Sequence, residues 1–179
     1  MRKYGILHGI MGQELSDLYK KALFLDRDGV INHDPGDYTK SLAEFEVLPE
    51  VIDTLKSWHL KGYLLIVITN QGGLDKELYL REEVEAMHQY LQGLCISAGF
   101  RITDFFYCPH HPDFSGKCLC RKPGSLMIER ALHKYRIDPK QSLMIGDRER
   151  DVKAANEAGV KGIQIQTNAA IPRWEDIAM

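Results

Sequence analysis

An unbroken apolar run from Tyr63 to Ile68 constrains the fold more than any other feature of this sequence. A run without polar alternation is typical of a strand that is covered on both faces. Four further β-branched or aromatic runs are also predicted to be strands, and helical patterns separate them. This alternation predicts an α/β fold, in which helices cover both faces of a mostly parallel central sheet.

The elements are predicted from hydrophobic periodicity and from punctuating glycines. The predicted strands are Ala22–Asp26, Tyr63–Thr69, Asp104–Cys108, Ser142–Gly146 and Gly162–Gln166. The predicted helices lie near Glu50–Lys61, Lys76–Ala98, Gly124–Tyr135 and Arg150–Ala158, and three of them are followed by Gly62, Gly99 and Gly159. A glycine after a helix is a common C-terminal cap.

Length and charge exclude several classes of protein. A chain of 179 residues suits one domain, and we expect an N-terminal extension over residues 1–21 and a single domain over residues 22–179. Lys and Arg number 23 and Asp and Glu 25, so the net charge of -2 argues against a broadly basic nucleic-acid binder. No apolar run approaches the ~18 residues of a membrane helix. The first residues lack a signal-peptide pattern, so we expect the protein to lie in the cytoplasm. We further expect it to be a monomer that binds neither nucleic acid nor membrane.

Polar residues stand where three of the predicted strands end. The first strand ends in Asp26-Arg-Asp28-Gly29, the second in Thr69-Asn-Gln-Gly72, and the fourth in Gly146-Asp147-Arg-Glu-Arg-Asp151. Ligands of parallel sheets bind beyond the carboxyl ends of the strands. These groups, together with Arg121-Lys122 before the third long helix, are therefore predicted to converge on one crevice.

The chemistry of that crevice suits phosphoryl transfer. Carboxylates from two strand ends form a hard oxygen site for Mg²⁺. Asp26 is ionised at neutral pH and can attack phosphorus, while a cation and Lys122 reduce the repulsion from the phosphate. Thr69 and the amides near Gly72 can hold phosphoryl oxygens. Asp28 can protonate the leaving alkoxide and later deprotonate a water.

A cluster of three cysteines and two histidines points to a second metal. Cys108, Cys118 and Cys120 lie close together with His110 and His111. In a reducing compartment such a loop suggests a closed tetrahedral Zn²⁺ site rather than a disulfide. Either histidine could be the fourth ligand. The zinc would stiffen the loop at residues 108–120 and orient the adjoining Arg121 and Lys122. Cys95 lies on a helix and is expected to fill the core.

From Ala22 to Gln166 the chain resembles the haloacid dehalogenase (HAD) superfamily of phosphatases. The resemblance implies a Rossmann-like sheet with the first strand central and no large cap domain. It implies Asp26 as nucleophile, Asp28 as general acid and base, and Mg²⁺ held by Asp26, Asp147 and the backbone carbonyl of Asp28. Thr69 and Lys122 would contact the transferring phosphoryl group. Asp151 would orient Lys122 or a metal-bound water.

The zinc loop resembles two groups within that superfamily, the D-glycero-D-manno-heptose 1,7-bisphosphate phosphatases and the histidinol-phosphate phosphatases. Their spacing favours His110 over His111 as the zinc ligand. The stretch from Asp26 to Tyr38 resembles the heptose group, with Asp37 as an added residue. The resemblance implies that the substrate is a small phosphorylated metabolite, contacted by Asp34, Gly36, Thr69, Asn70, Gln71, Gly72, Arg121, Lys122 and Arg148. Heptose 1,7-bisphosphate is the expected substrate, with histidinol phosphate or another small sugar phosphate as the alternative.

Two hypotheses from other classes remain at this point. A zinc-stabilised binding module without catalysis is disfavoured by the intact Asp26, Asp28, Lys122 and Asp147. A phosphatase acting on DNA ends is disfavoured by the acidic balance and by the absence of a basic-aromatic stripe.

Overall fold

Five parallel strands form the centre of the molecule in this computed structural model, which describes residues 19–177. The strands are β1 (Lys21–Leu25), β2 (Tyr63–Asn70), β3 (Asp104–Cys108), β4 (Leu143–Gly146) and β5 (Lys161–Gln164). Their order across the sheet is β3-β2-β1-β4-β5, and every neighbouring pair is parallel. The predicted α/β class and the central position of the first strand are both confirmed.

Helices cover the two faces of this sheet. They are α1 (Val51–Leu60), α2 (Arg81–Ser97), α3 (Leu126–Tyr135), α4 (Glu149–Glu157) and the single turn α5 (Trp174–Ile177), with short 3-10 turns at Leu42–Glu44 and Pro139–Gln141. None of the helices in the described part of the chain is both long and apolar enough to span a bilayer. Residues 1–18 of the predicted extension lie outside the described residues, and the division into an extension and one domain stays a prediction.

Alternating side chains of β1 feed two separate hydrophobic clusters. Leu23 and Leu25 point to one face, where they join apolar residues of α1 and α2. Ala22 and Phe24 point to the other face, against α3 and α4. These β1 side chains are fully buried. Since burying one large apolar side chain stabilises a fold by about 1.5–3 kcal/mol, β1 is anchored from both faces and its end is held in place.

The start of α2 differs from the prediction, which began the helix at Lys76. The helix begins at Arg81, and residues 76–80 form turns in which Glu77 has a positive φ of 55°. The Tyr79 ring packs so tightly over Gly73 that a side chain at that position would overlap it, and its hydroxyl donates to Gln71. A tertiary contact next to the β2 end therefore overrides the local helical pattern.

The described chain has no separate cap domain. The long connection between β1 and α1 contains only one 3-10 turn, and the segment between β2 and α2 consists of turns. The carboxyl ends of the central strands consequently open directly to a surface cleft.

His88 on α2 lies in the core and generates a prediction about acid stability. Its ring stacks on Phe105 with a centroid distance of 4.4 Å and meets Tyr107 edge-on. Burial lowers the pKa of His88 from 6.5 to about 3, and the Arg27 charge adds to this. Below pH 6.5 the unfolded chain binds a proton that the native state excludes, so the native state loses stability as the pH falls.

We expect His88→Phe to remove this acid penalty, because phenylalanine keeps the stacking and cannot be protonated. Between pH 7 and pH 5 the wild type should lose about 2 kcal/mol more of its free energy of unfolding than the variant does. Urea titrations of both proteins at the two pH values measure the difference. Equal losses in the two proteins would show that His88 is protonated in the native state.

Candidate active site

A buried ion-pair cluster around Lys122 lies at the carboxyl end of β1. The Lys122 Nζ atom is 2.9 Å from Asp26 Oδ1 and 2.7 Å from Asp151 Oδ1. It also donates a hydrogen bond of 2.7 Å to the backbone carbonyl of Ile68 on β2. The ammonium therefore joins the ends of β1 and β2 to the first turn of α4, as the predicted convergence requires.

Asp26 occupies the first position after β1 and is only 4% exposed. Its backbone N–H donates to Ile145 on β4, and its Oδ1 accepts the N–H of Arg27 at 2.7 Å. Burial raises the pKa of the Asp26 carboxyl to about 7. Lys122 opposes this rise, whereas the charges of Asp151 and Asp28 add to it. The ionised form of this carboxyl consequently depends on positive charge nearby.

The carboxylates of Asp26, Asp147 and Asp151 form a set of oxygen donors that suits a divalent cation. One oxygen from each lies within 4.8 Å of the others, and all three residues are buried. Both oxygens of Asp151 are engaged, one by Lys122 and the other by the Arg148 N–H at 2.9 Å. Asp26 and Asp147 therefore remain as the ligands, and a hard cation such as Mg²⁺ fits them and offsets their buried charge.

Two glycines permit this close approach of carboxylates. A Cβ atom at Gly29, whose φ is 81°, would lie 2.7 Å from Asp147 Oδ2. A Cβ atom at Gly146 would overlap the Asp151 side chain. Any larger residue at either position would push one of these carboxylates away from the end of β1.

Asp28 is held by donors from three directions. The Arg27 guanidinium is 2.8 Å from Asp28 Oδ1, and the side-chain amides of Asn32 and Gln71 donate at 3.0 and 2.9 Å. Although burial acts in the opposite direction, the Arg27 charge and these hydrogen bonds hold the pKa of Asp28 below its usual range. The carboxylate is therefore ionised and fixed in orientation while it lines the cleft.

Gln71 connects this group to Thr69 on the neighbouring strand. Its Nε2 donates 2.9 Å hydrogen bonds both to Asp28 Oδ2 and to the Thr69 hydroxyl oxygen. Its Oε1 accepts from the Tyr79 hydroxyl and from Arg27. The sequence did not indicate this network, since Arg27, Asn32 and Tyr79 carry no motif of their own.

Four side chains of the loop at residues 108–120 bring their ligand atoms within 4.8 Å of one another. The Sγ atoms of Cys108, Cys118 and Cys120 lie 3.3–3.5 Å apart, too far for a disulfide. His110 Nδ1 is 3.6 Å from Cys108 Sγ and 3.3 Å from Cys120 Sγ. Tetrahedral ligands at the bond lengths of Zn²⁺ sites are separated by roughly 3.4–3.8 Å. The donor set fits a closed structural zinc site.

His111, the alternative ligand, points elsewhere. Its Nδ1 accepts the backbone N–H of Asp113 at 3.3 Å, and its ring meets Phe114 edge-on. The geometry therefore favours His110 as the fourth ligand.

Three side chains hold the zinc loop and the Lys122 that follows it in place at the crevice, through five hydrogen bonds. The Arg121 guanidinium donates to the His110 carbonyl at 2.9 Å. The Asn70 side chain bonds both the N–H and the carbonyl of Lys122, at 3.0 and 3.1 Å. Asp75 accepts the N–H groups of His111 and Ser115 at 2.7 and 3.1 Å. A rigid loop therefore also fixes the position of Lys122, the residue that contacts Asp26.

A cleft of about 350 Å³ opens above Asp26 and Asp28. It is lined by seven of the nine predicted substrate residues: Asp34, Gly36, Thr69, Asn70, Gln71, Arg121 and Arg148. Lys122 lies beneath the cleft surface, and Gly72 packs against Arg121 and the His110 carbonyl. Asp37, Tyr38, Thr39 and Arg150 also line the cleft, although they were not among the predicted substrate residues.

Arg148 and Asp34 are engaged with each other in this cleft. Arg148 Nη2 is 3.0 Å from Asp34 Oδ2, and its Nε is 3.0 Å from Asp147 Oδ2. Thr167 donates to the same Asp147 oxygen at 2.7 Å. Asp34 also accepts the Gly36 N–H, which shapes the loop at the rim. Arg148 thus links the candidate metal ligand Asp147 to the wall of the cleft.

Comparison with known proteins reveals clear relatives. The HAD-hydrolase-like family model matches residues 119–177. The D-glycero-beta-D-manno-heptose-1,7-bisphosphate 7-phosphatase of Haemophilus ducreyi is 38% identical, over 85% of this chain and 86% of the relative. The corresponding alpha-anomer phosphatase of Photorhabdus laumondii is 39% identical, over 78% and 79%. A crystal structure of D,D-heptose 1,7-bisphosphate phosphatase from B. bronchiseptica, complexed with magnesium and phosphate, aligns with a TM-score of 0.77 and 32% identity, covering 82% and 81% of the two chains.

The Cys108–Cys120 site generates a prediction about metal content. We expect the purified wild type to contain about one zinc per chain, and Cys118→Ala to lose it and to melt at a lower temperature, because the loop has little apolar burial of its own. Elemental analysis and thermal melts measure both effects. Cys95→Ala is the matched control, since Cys95 is a buried core cysteine outside the cluster and its loss should leave the zinc in place. Full zinc content in Cys118→Ala would contradict the assignment.

Proposed function

The chain belongs to the D-glycero-D-manno-heptose-1,7-bisphosphate 7-phosphatase family of HAD-like phosphoric monoester hydrolases, and from this premise we propose that it removes the 7-phosphate of that sugar through a phosphorylated Asp26. The observation that carries the proposed mechanism is the position of Asp26. Its buried carboxylate contacts Lys122 at 2.9 Å and lines a cleft that also presents Asp28 and Thr69.

In the first proposed step an Asp26 oxygen attacks the phosphorus atom of the bound ester. A P–O bond to Asp26 forms as the P–O bond to the sugar breaks, and Asp28 protonates the departing alkoxide. Thr69 and Lys122 stabilise the charge on the transferring phosphoryl oxygens. The hydrogen bonds from Arg27 and Gln71 keep Asp28 facing the cleft during this transfer.

In the second step water attacks the phosphoryl group on Asp26. Asp28 accepts the proton of that water, the bond between Asp26 and phosphorus breaks, and inorganic phosphate leaves. Asp28 takes up one proton before the first step, donates it to the alkoxide and regains one from the water, so it ends the cycle in the protonated form in which it began it. Between the two steps Asp28 is ionised, and the field of Arg27 favours this form, which is the one able to act as a base.

Two metals complete the proposal. Mg²⁺ would be held by Asp26, Asp147 and the backbone carbonyl of Asp28, and when bound it supplies positive charge against the phosphoryl oxygens. Zn²⁺ would be held by Cys108, His110, Cys118 and Cys120, and its part is structural. Asp151 serves as a positioning residue, since it contacts Lys122 at 2.7 Å and cannot reach a substrate from its fully buried position.

The proposal also covers the compartment and the oligomeric state of the enzyme. A site of three zinc thiolates needs a compartment that keeps cysteine reduced, which supports the cytoplasm. We also propose that the protein acts as a monomer. Size-exclusion chromatography with light scattering measures the oligomeric state.

Asp26→Asn tests the proposed nucleophile. Because an amide cannot form the phosphorylated intermediate, kcat should fall by at least about 10³-fold while the fold and the zinc content stay unchanged. Phosphate release and circular dichroism measure these two effects. Asp37→Asn is the control, since Asp37 lines the same cleft but pairs with Lys40 rather than with Lys122. Residual activity within tenfold of the wild type would rule out Asp26 as the nucleophile.

The substrate is tested by comparing kcat/KM for heptose 1,7-bisphosphate, in both anomers, with that for histidinol phosphate. We expect the bisphosphate to be preferred by at least about 100-fold, because this cleft presents arginines to a second phosphate. A preference for histidinol phosphate would retain the phosphatase chemistry and reject the proposed sugar.

A further inference from the structure

The carboxylates of the cleft are all paired with cations, whereas some of its cations have no carboxylate partner. Each of its four carboxylates has a cationic partner within 3.0 Å: Lys122 for Asp26, Arg27 for Asp28, Arg148 for Asp34 and Lys40 for Asp37. Arg148 is engaged a second time by Asp147. The acidic groups of the cleft therefore leave little negative charge for any further cation in its wall.

Two arginines of the cleft have no such partner. Within residues 19–177, neither Arg121 nor Arg150 has a carboxylate oxygen within 4.0 Å. Arg121 is partly buried and donates one N–H to the His110 carbonyl. Arg150 is exposed and lines the cleft, where its guanidinium can contact a ligand.

The position of Arg150 in its helix offers no local stabilisation. It lies in the first turn of α4, which begins at Glu149. The N-terminal end of a helix carries partial positive charge, so a cation in that turn is disfavoured. Arg150 is therefore better explained by an anion in the cleft than by the stability of α4.

The two arginines stand on opposite sides of Asp26. Arg121 packs against Gly72, in the turn that follows β2, whereas Arg150 follows β4. Since β2 and β4 flank β1 on its two sides, a substrate whose one phosphate is at Asp26 extends past one or both of these arginines. A phosphate dianion pairs with the planar guanidinium through two parallel hydrogen bonds.

We propose that Arg150 is a specificity-determining residue, which binds the phosphate that stays on the sugar while the other is transferred to Asp26. This inference rests on the proposed function, because it presupposes a substrate with two phosphates. Arg148, which the sequence resemblance places among the substrate contacts, is already engaged by Asp34 and Asp147 and acts in positioning.

The test compares a substrate with two phosphates to a substrate with one. In Arg150→Gln, kcat/KM for heptose 1,7-bisphosphate should fall roughly 10- to 100-fold, mainly through KM, as expected for the loss of a charge-assisted contact. For p-nitrophenyl phosphate, which has one phosphate, kcat/KM should change by less than about twofold. Arg150→Lys should recover part of the loss because it restores the charge without the planar fork.

Arg130→Gln is the matched control, since Arg130 is an exposed arginine on α3 that does not line the cleft, and it should leave both substrates unaffected. If Arg150→Gln lost activity equally on both substrates, Arg150 would act on the reaction centre or the fold, and the inference would be wrong. If it retained full kcat/KM for the bisphosphate, Arg150 would be a solvated surface residue. Failure of the wild type itself on the bisphosphate would reject the proposed function, and with it this inference.

Calorimetry supplies a readout that does not depend on turnover. In the Asp26→Asn background, adding Arg150→Gln should raise the Kd for heptose 1,7-bisphosphate roughly 10- to 100-fold and leave the Kd for inorganic phosphate unchanged. An unchanged Kd for the bisphosphate would overturn the assignment even if the kinetic parameters differed.

Discussion

The buried ammonium of Lys122 is the interaction on which the rest of this site depends. It contacts Asp26 after β1, the Ile68 carbonyl on β2 and Asp151 on α4. Its backbone is clamped by the Asn70 side chain and its neighbour Arg121 binds the zinc loop. A buried lysine is costly unless it is paired, so this one group requires the strand ends, α4 and the zinc loop to assemble together. The candidate zinc site takes no part in the proposed chemistry. It is nevertheless connected to Asp26 through two consecutive residues, Arg121 and Lys122.

The sequence predicted the architecture well because the relevant signals are local. Apolar runs and terminal glycines located all five strands and three of the helices to within two residues at each end. Helix α2 was placed too early, because the turn before it is shaped by the packing of Tyr79 on Gly73, a contact that periodicity does not register. The single turn α5 was not predicted, since four residues are too few to show a period.

The candidate site was predictable in composition but not in its pairings. Strand ends brought Asp26, Thr69 and Asp147 together because the topology of a parallel sheet requires it. No sequence pattern reveals that Arg148 pairs with Asp34, which is 114 positions away, or that Gln71 bridges Asp28 and Thr69. Ion pairing decides which charged side chains of a cleft are free to bind a ligand. Arg148, which is paired with Asp34 and Asp147, could therefore be distinguished from Arg150 only after the fold was known.

These pairings matter because the described residues form no cap domain. Phosphatases with a cap can surround a substrate, whereas here the cleft stays open above Asp26 and Asp28. An open cleft has few walls for shape selection, so selectivity has to come from charge placed at a distance from the reacting phosphorus. Asp34 and Asp37 neutralise Arg148 and Lys40 at the rim, which confines the available positive charge to Arg121 and Arg150. A sugar with phosphates at both ends can place one phosphate at Asp26 and the other at these arginines, whereas a monophosphate has only the phosphate at Asp26.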